Sequence, residues 1–251
     1  MIEYLDTAFS YSPEKPVIPP LRGRWEKGLI HSLIGPSGCG KSTLLYLIAG
    51  LIQPSRGEIL IQNETPRPGR RQTAVILQNH GLFPWKTAWQ NLALGLEIRR
   101  EKKGVIQDKI TRVLKDLGLE GKEHSYPKEM SGGERQRLGI GRSLVLDPDL
   151  LLLDEPFSSL DAMTRERLQD NLWQLKHNRL SEAAELTVVL VTHSIEEAVF
   201  LSDRIHIMDD QGFIRSLSNT TSGPGGRMES SYFDTCVLLR KQFGQHAQGG
   251  L

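Results

Sequence analysis

The sequence predicts an α/β domain built around a mostly parallel β-sheet. Apolar runs of strand length alternate with segments whose apolar residues recur at helical spacing, which is typical of a parallel sheet covered by helices. The run at 150–153 is wholly leucine, as expected for a strand buried on both faces. A glycine-rich segment between a predicted strand and a predicted helix, around residue 38, supports the same fold class.

The predicted elements follow one another as short strands and longer helices. Strands are expected at 28–34, 58–62, 73–78, 150–153 and 187–192. Helices are expected at 41–51, 105–117, 161–180 and 196–201. The stretch at about 79–146 lacks a convincing strand pattern and is predicted to be a helical insertion. Residues 219–227 are rich in Thr, Ser, Gly and Pro, which predicts a flexible connection before one short helix at 232–243.

The composition is ordinary for a soluble globular protein. The chain has 251 residues, 38% of them hydrophobic, and a net charge of +1, so it lacks the strong basic field typical of nucleic-acid binders. No apolar run approaches the roughly 18 residues that a spanning helix needs, and the first residues do not form an export signal. Two cysteines, Cys39 and Cys236, are too few for a disulfide framework and fit a reducing compartment.

Residues 35–43 carry the strongest chemical motif of the chain, the pattern GxxxxGK[ST] between a strand and a helix. They are Gly35, Pro36, Ser37, Gly38, Cys39, Gly40, Lys41, Ser42 and Thr43. The glycines let backbone N–H groups point at phosphate oxygens, and the helix N-terminus adds its positive dipole end. We expect Lys41 to reach the β- and γ-phosphates and the Ser42 hydroxyl to ligate Mg²⁺. Cys39 is expected to fill space rather than to carry redox chemistry.

Two acidic residues follow the leucine run. Asp154 and Glu155 stand at the carboxyl end of a buried strand, where open parallel sheets bind ligands. Asp154 would hold Mg²⁺, directly or through water, and Glu155 would accept a proton from the attacking water. By themselves the two acids also fit an ordinary strand end at the surface, and a phosphate loop alone fits kinases, GTPases and motor ATPases.

The segment 130–137 narrows the choice. It reads Met-Ser-Gly-Gly-Glu-Arg-Gln-Arg and resembles the signature of the ABC family, whose common form begins Leu-Ser-Gly-Gly-Gln. The chain departs from that form at Met130 and Glu134, while Ser131, Gly132 and Gly133 keep the phosphate-contacting core. These three residues precede a helix expected to begin near Glu134, whose N-terminus can receive an anion. The same pattern alone also fits a helix N-cap without a ligand.

Other motifs of the family occur in the same order. Gln78 resembles the Q-loop glutamine, which implies contact with Mg²⁺ or water and sensing of a permease. Residues 158–161 resemble the D-loop and place Asp161 near nucleotide, and His193 resembles the H-switch that contacts the γ-phosphate. Tyr11 matches the position of the family's adenine-stacking aromatic. Phe9, two residues earlier, would share the same strand face, so a core role for Tyr11 fits nearly as well.

The resemblance implies a P-loop NTPase core of the RecA type, with a mostly parallel sheet, an antiparallel β subdomain and a helical signature subdomain. The ATP-binding domain would cover residues 1–217, with the helical subdomain at about 79–146 inserted, and 218–251 would form a C-terminal tail. It also implies ATP and Mg²⁺ as cofactors, a homodimer that sandwiches ATP between phosphate loop and signature, and a separate membrane permease. The protein would act at the cytoplasmic face of the cell membrane.

Two stretches point to a class of transporter. Residues 82–91 and 192–198 resemble importers for nitrate, sulfonates, taurine and related solutes, in which a binding protein delivers the solute to the permease. The aromatic residues of the first stretch fit a docking surface, and they fit packing of the helical insertion equally well. The alternative functions are a soluble ABC ATPase of DNA repair or translation, a non-catalytic nucleotide switch and a small-molecule kinase. Neither stretch identifies the solute.

Overall fold

The computed structural model describes residues 1–12, 15–76, 81–158, 160–179, 185–209 and 211–246. The chain divides into two compact units. The first contains Met1–Arg70, Leu152–Glu155 and Glu185–Leu251, and the second contains Arg71–Leu151 and Pro156–Ala184. Within the described ranges, no helix combines the length and the apolarity needed to cross a membrane.

The regular elements are numbered here in chain order. The strands are β1 (Ile2–Ser12), β2 (Lys15–Trp25), β3 (Ile30–Ile34), β4 (Arg56–Ile61), β5 (Thr73–Ile76), β6 (Leu150–Asp154), β7 (Thr187–Val191), β8 (Arg204–Met208) and β9 (Ile214–Ser218). The helices are α1 (Lys41–Ile48), α2 (Ala88–Ile98), α3 (Lys103–Asp116), α4 (Gly132–Leu144), α5 (Ala162–Arg179), α6 (Ile195–Leu201) and α7 (Ser230–His246).

The first unit contains two sheets. In the smaller one, β1 lies between β2 and β4, and both pairings are antiparallel. In the larger one, β3 lies between β7 and β8 in parallel register, β6 neighbours β7, and β9 pairs with β8 in antiparallel direction at one edge. The mostly parallel sheet and the antiparallel β subdomain expected from the sequence are therefore confirmed.

The central strands are short because they cross a core that is buried on both sides. All five residues of β3, β6 and β7 are buried. The leucine run of β6 predicts this burial, whereas β3 also buries the polar residues His31 and Ser32. Parallel strands place their carboxyl ends at one edge of the sheet, which is where loops bind ligands. The loops after β3, β6 and β7 carry residues 35–40, 155 and 192–194, so the fold gathers the candidate site residues there.

The second unit is mainly helical. Among the described residues between 81 and 146, the regular elements are α2, α3, α4 and a 3₁₀ turn at Pro127–Glu129. Helix α2 begins with a capping box, in which the Thr87 side chain accepts from the backbone N–H of Gln90. Helix α3 buries Ile106, Ile110 and Val113 along one face, as the spacing predicts.

The C-terminal segment differs from the expected flexible connection. Asn219 and Thr221 are buried and share hydrogen bonds, and the proposed boundary near residue 217 falls inside β9. The single helix expected at 232–243 extends over Ser230–His246. Composition misled here because Thr, Ser and Gly also suit a tight, hydrogen-bonded corner.

Two buried histidines on the neighbouring strands β3 and β8 form a hydrogen-bonded pair. Nε2 of His31 lies 2.8 Å from the carbonyl oxygen of Glu26, which can only accept, so this nitrogen carries a proton. In the neutral ring Nδ1 must then accept, and it does so from Nε2 of His206 at 3.0 Å. Nδ1 of His206 accepts from the Ser216 hydroxyl at 2.7 Å. Both rings are neutral in this arrangement, and protonating both of them would set two N–H donors against each other between Nδ1 of His31 and Nε2 of His206.

This pair should make stability depend on pH. Burial is the main cause that lowers the pKa of both histidines, well below the usual value for His206, and Arg204 lowers both further. Glu26 and Asp203 act in the opposite direction on the pKa of His31. Below the ordinary histidine pKa of about 6.5, the unfolded chain therefore binds protons that the folded chain does not bind. The free energy of unfolding is highest above that pH and falls as the pH drops below it.

We expect the free energy of unfolding to fall by about 1 kcal/mol per pH unit for each of the two histidines between about pH 6.5 and 5.5, because the unfolded histidine is only partly protonated over this range. Urea unfolding at several pH values measures this slope. His206→Gln should flatten it, whereas the control His124→Gln, at an exposed histidine, should not. Equal slopes in the parent and in His206→Gln would contradict the assignment.

Candidate functional site

The phosphate loop joins β3 to α1 and is shaped by its glycines. Gly38 and Gly40 have φ angles of 82° and 108°, in the left-handed region that favours glycine. A Cβ at Gly35 would lie 2.3 Å from the Met208 carbonyl oxygen, so this close approach also requires glycine. Helix α1 begins at Lys41 with its N-terminus facing the loop, which orients free N–H groups toward a bound anion.

Lys41 is buried and spans its own loop. Its ammonium donates to the carbonyl oxygens of Gly35 at 2.9 Å and Pro36 at 2.7 Å. Neither contact is with a carboxylate, so the positive charge of the ammonium group is held at the loop by carbonyl oxygens alone in these two hydrogen bonds. Cys39 is buried nearby, and burial raises the pKa of its thiol, which favours a filling role over thiolate chemistry.

A cavity of about 460 Å³ opens over the loop. It is lined by the loop and the start of α1, by the N-terminal hairpin and by the end of β6: Tyr11, Ser12, Val17, Ser37, Gly38, Gly40, Lys41, Ser42, Thr43 and Glu155. All of these residues belong to the first unit. Six of the nine predicted loop residues thus line one concave space together with Glu155 and Tyr11, whereas Gly35, Pro36 and Cys39 are not part of its lining.

Asp154 ends β6 beside the start of α1. The Ser42 hydroxyl donates to its Oδ1 at 3.1 Å, and the Tyr46 hydroxyl donates to its Oδ2 at 3.5 Å. Burial is the largest influence and raises the pKa of Asp154, against the Ser42 hydrogen bond, which lowers it. A buried carboxylate next to a hydroxyl supplies the hard oxygen donors that Mg²⁺ prefers, so the residues fit this ion. Gln78, the third predicted ligand, lies outside the described residues.

Glu155 lines the cavity, and His193 lies next to it. The backbone of Glu155 has φ of 47°, and its N–H donates to the Val191 carbonyl oxygen at 2.9 Å. Nδ1 of His193 lies 3.5 Å from Oε2 of Glu155. The His193 side chain is 62% exposed and the Glu155 side chain 30%, so both can meet a ligand.

Tyr11 is the exposed member of an aromatic pair. Its residue is 68% exposed, whereas Phe9 is buried and meets the Tyr11 ring edge to face at a centroid distance of 4.8 Å. The Tyr11 hydroxyl lies 3.3 Å from the Thr43 hydroxyl at the far end of the phosphate loop. The core role thus falls to Phe9, and the ring of Tyr11 stands at the cavity with a face free for stacking.

We expect Tyr11→Ala to weaken ATP affinity by about 1–2 kcal/mol, roughly tenfold, because base stacking on an aromatic ring contributes on that order. Tyr11→Phe, which keeps the ring, should bind ATP normally. Titration of both variants with ATP and with inorganic triphosphate separates the base from the phosphates. Equal losses for the two ligands would place Tyr11 in loop structure instead of base binding.

The signature segment lies in the second unit and forms the start of α4. Ser131 is the N-cap: its hydroxyl accepts from the Glu134 N–H at 3.2 Å, and Glu134 Oε2 accepts from the Ser131 N–H at 2.8 Å. The helix begins at Gly132, two residues before the expected start. A Cβ at Gly133 would lie 2.6 Å from the Thr164 methyl, whereas one at Gly132 would meet Nη2 of Arg135 only at 3.9 Å.

The two departures from the common signature have local explanations. Met130 is buried, as the usual leucine would be. The carboxylate of Glu134 completes the capping box and lies 3.2 Å from Nζ of Lys122. The Ser131 N–H is the main cause that lowers the pKa of Glu134, so this residue stays ionised near the helix N-terminus, where its charge is favourable.

The Asp161 side chain makes a hydrogen bond at the start of its own helix, α5. Its Oδ1 accepts from the Thr164 N–H at 3.0 Å, and this bond lowers the pKa of the carboxyl group. Ser131, Gly132, Gly133 and Asp161 belong to the second unit, while the cavity lining belongs to the first. Tyr46, whose hydroxyl donates to Asp154, is a candidate site residue that the sequence reasoning missed. Its position four residues after Ser42 places both on one face of α1, which was the available signal.

Comparison with known proteins places these features in one family. The family model described as ABC transporter matches residues 20–158, more than half of the chain. This chain belongs to the ABC transporter family. It is an ATP-binding and ATP-hydrolysing subunit of an ABC transporter, so the recognition based on the signature and its companion motifs is confirmed.

Several relatives of this ABC protein are named importers. It is 41% identical to the aliphatic sulfonates import ATP-binding protein SsuB of Bacillus thuringiensis subsp. konkukian, over 94% of this chain and 90% of the relative. It is 46% identical to the nitrate import ATP-binding protein NrtC of Synechococcus elongatus, over 71% of this chain and 27% of the relative. The spermidine/putrescine import ATP-binding protein PotA of Mycoplasma mycoides subsp. mycoides is 40% identical, over 76% of this chain and 54% of the relative.

Solved structures of cassettes share the fold. A dimeric ATP-binding cassette in a post-hydrolysis state with ADP and Pi matches with a TM-score of 0.73 and 28% identity, over 87% of this chain and 98% of that one. A cbiO1 protein of Clostridium perfringens, part of an ABC transporter complex, matches with a TM-score of 0.79 over 97% of both chains. At 22% identity the second likeness supports the fold only.

Proposed function

We propose that this subunit powers the import of a small oxyanionic solute of the sulfonate or nitrate type through a separate membrane permease. The observation that carries the catalytic part is the single cavity that holds Lys41, Ser42 and Glu155 beside Asp154 and His193. The solute class rests on the SsuB relative, whose alignment extends over nearly the whole chain. The protein would act at the cytoplasmic face of the cell membrane.

The reaction is transfer of the γ-phosphoryl group of ATP to water. Lys41 and the loop N–H groups stabilise negative charge on the phosphates, and the Tyr11 ring holds the base. Glu155 accepts the proton of the attacking water, while His193, next to it, orients the γ-phosphate. Ser42, Asp154 and Gln78 would hold Mg²⁺, which neutralises charge on phosphate oxygens when it is bound.

The active form would be a homodimer. The exposed Ser131–Gly132 end of α4 presents a helix N-terminus, and the cavity of the first unit presents only one side of a nucleotide site. In the dimer, ATP would lie between the phosphate loop of one copy and Ser131, Gly132 and Gly133 of the other, with Asp161 close to that interface. Closing and opening of the dimer would move the permease between two states.

The proposal is tested in the native host. Tagged Glu155→Gln protein with ATP and Mg²⁺ should recover a polytopic permease from native membranes by mass spectrometry. Deletion of the gene should reduce uptake of aliphatic sulfonate or nitrate, and the parent sequence should restore it while Glu155→Gln should not. Recovery of ribosomes or DNA-repair proteins would favour the alternative function of a soluble ABC ATPase. Loss of spermidine uptake alone would replace the solute class.

A further inference from the structure

Helix α6 follows His193 directly and is too short to fix its own position. It contains seven residues, Ile195–Leu201, and isolated helices of this length are unstable in water. His193 lies in the three-residue link between β7 and α6, with its side chain largely exposed. The direction of its ring therefore depends on what holds α6.

The C-terminal end of α6 is held by Asn219. Its side-chain NH₂ group donates to the carbonyl oxygens of Val199 and Ser202, both at 2.7 Å. Its Oδ1 accepts from the backbone N–H and the hydroxyl of Thr221, so the buried amide uses its full hydrogen-bonding capacity. These bonds satisfy carbonyl groups that a helix end leaves without partners.

The same end carries two further contacts from the C-terminal segment. The Gly223 N–H donates to the Phe200 carbonyl oxygen at 2.7 Å. The guanidinium of Arg227 lies over the Phe200 ring at 3.7 Å from its centroid, which is a close cation–π contact. Because Phe200 is fully buried, these contacts anchor α6 where it enters the core.

The N-terminal end of α6 is held by α7. The hydroxyl of the buried Tyr232 donates to the Glu196 carbonyl oxygen at 3.1 Å, and burial raises the pKa of Tyr232 to about 12, so the donor is retained. Arg240 pairs with Oε1 of Glu196. Oε2 of Glu196 accepts from the hydroxyl of Ser194, the residue after His193, at 3.1 Å.

We propose that residues 219–240, the C-terminal clamp, are a positioning element that sets the His193 ring against Glu155 during ATP hydrolysis. The clamp contacts both ends of α6. Its contact with Glu196 extends through the Glu196 carboxylate to Ser194, the residue next to His193. The inference rests on the proposed function of His193 and assigns a role to a segment beyond the matched family model, which ends at residue 158. The Arg240–Glu196 pair is half exposed, so it contributes little to overall stability, and its loss should appear in catalysis.

The test uses the full-length double variant Tyr232→Phe/Arg240→Ala. We expect kcat for ATP hydrolysis to fall about tenfold, because both contacts between α7 and the start of α6 are lost, while KM and ATP affinity stay unchanged. Restoring a cation with Tyr232→Phe/Arg240→Lys should recover part of the rate. Lys241→Ala, which removes a charge from an exposed neighbour on α7, should hydrolyse ATP like the parent.

His193→Ala, measured beside these variants, separates the two proposals. If His193→Ala hydrolyses ATP normally, the proposed role of His193 is wrong. If His193→Ala is impaired but the double variant keeps the parent kcat, the clamp is wrong and the catalytic assignment stands. A change in KM as large as the fall in kcat would also overturn the positioning role. So would equal kcat values for the Arg240→Ala and Arg240→Lys forms of the double variant. Tyr232→Phe alone serves the same comparison if the double variant does not fold.

Discussion

Glu155→Gln is expected to abolish ATP hydrolysis while leaving ATP binding intact. The amide cannot accept a proton from water, and removal of a general base typically costs a factor of about 100 or more. Glutamine has the same size and can hydrogen-bond to His193, so the cavity should keep its shape. Phosphate release measures the rate, and titration with ATP measures the affinity.

The control for this variant is Glu120→Gln at an exposed position, which should hydrolyse ATP like the parent. If hydrolysis cycles a dimer, the Glu155→Gln protein should also accumulate as an ATP-dependent dimer in size-exclusion chromatography. Near-normal turnover in Glu155→Gln would remove Glu155 as the base. His193, 3.5 Å away, would then be the next side chain to test for that function.

Lys41→Ala is expected to weaken ATP affinity by about 3 kcal/mol, roughly 100-fold, because charge-assisted hydrogen bonds to the phosphates are lost. The affinity for AMP, which lacks the β- and γ-phosphates, should change much less. Equilibrium titration with ATP, ADP and AMP measures this dependence on phosphate number. The exposed Lys115→Ala variant is the control for a lost positive charge.

An equal loss of affinity for ATP and AMP would give a different explanation. Lys41 also bridges the carbonyl oxygens of Gly35 and Pro36, so its removal could loosen the loop as a whole. Thermal unfolding of the Lys41→Ala protein without nucleotide distinguishes the two effects. An unchanged Tm with a loss confined to ATP and ADP assigns Lys41 to the phosphates.

The sequence predicted the fold well where its pattern is compatible with only one kind of secondary structure. The buried leucine run and the alternation of strands and helices predict the parallel sheet, because both indicate a sheet covered on its two faces. The glycine loop predicts the strand and the helix on either side of it. Strands β8 and β9 were not predicted. β9 carries Arg215, Ser216 and Ser218 on a partly exposed edge, so its pattern gives little periodic signal.

The site was predictable from motifs, but its internal contacts were not. The choice between Tyr11 and Phe9 depends on which ring the hairpin buries, and spacing along one strand cannot decide it. The capping box between Ser131 and Glu134 was foreseeable from residues three apart. The Asn219 contacts at the end of α6 join residues about 20 positions apart, which no local pattern reveals.

The positive φ of Glu155 limits which amino acids can replace it. At 47° the backbone is in the left-handed region, which β-branched side chains enter only at a substantial energetic cost. Valine, isoleucine and threonine would strain the junction between β6 and its loop before any chemistry is considered. Aspartate and asparagine tolerate this conformation, but their side chains are one methylene shorter. Glycine fits the backbone best and carries no acid. In a library of variants, selection for a stable loop and selection for turnover would therefore enrich different residues at position 155.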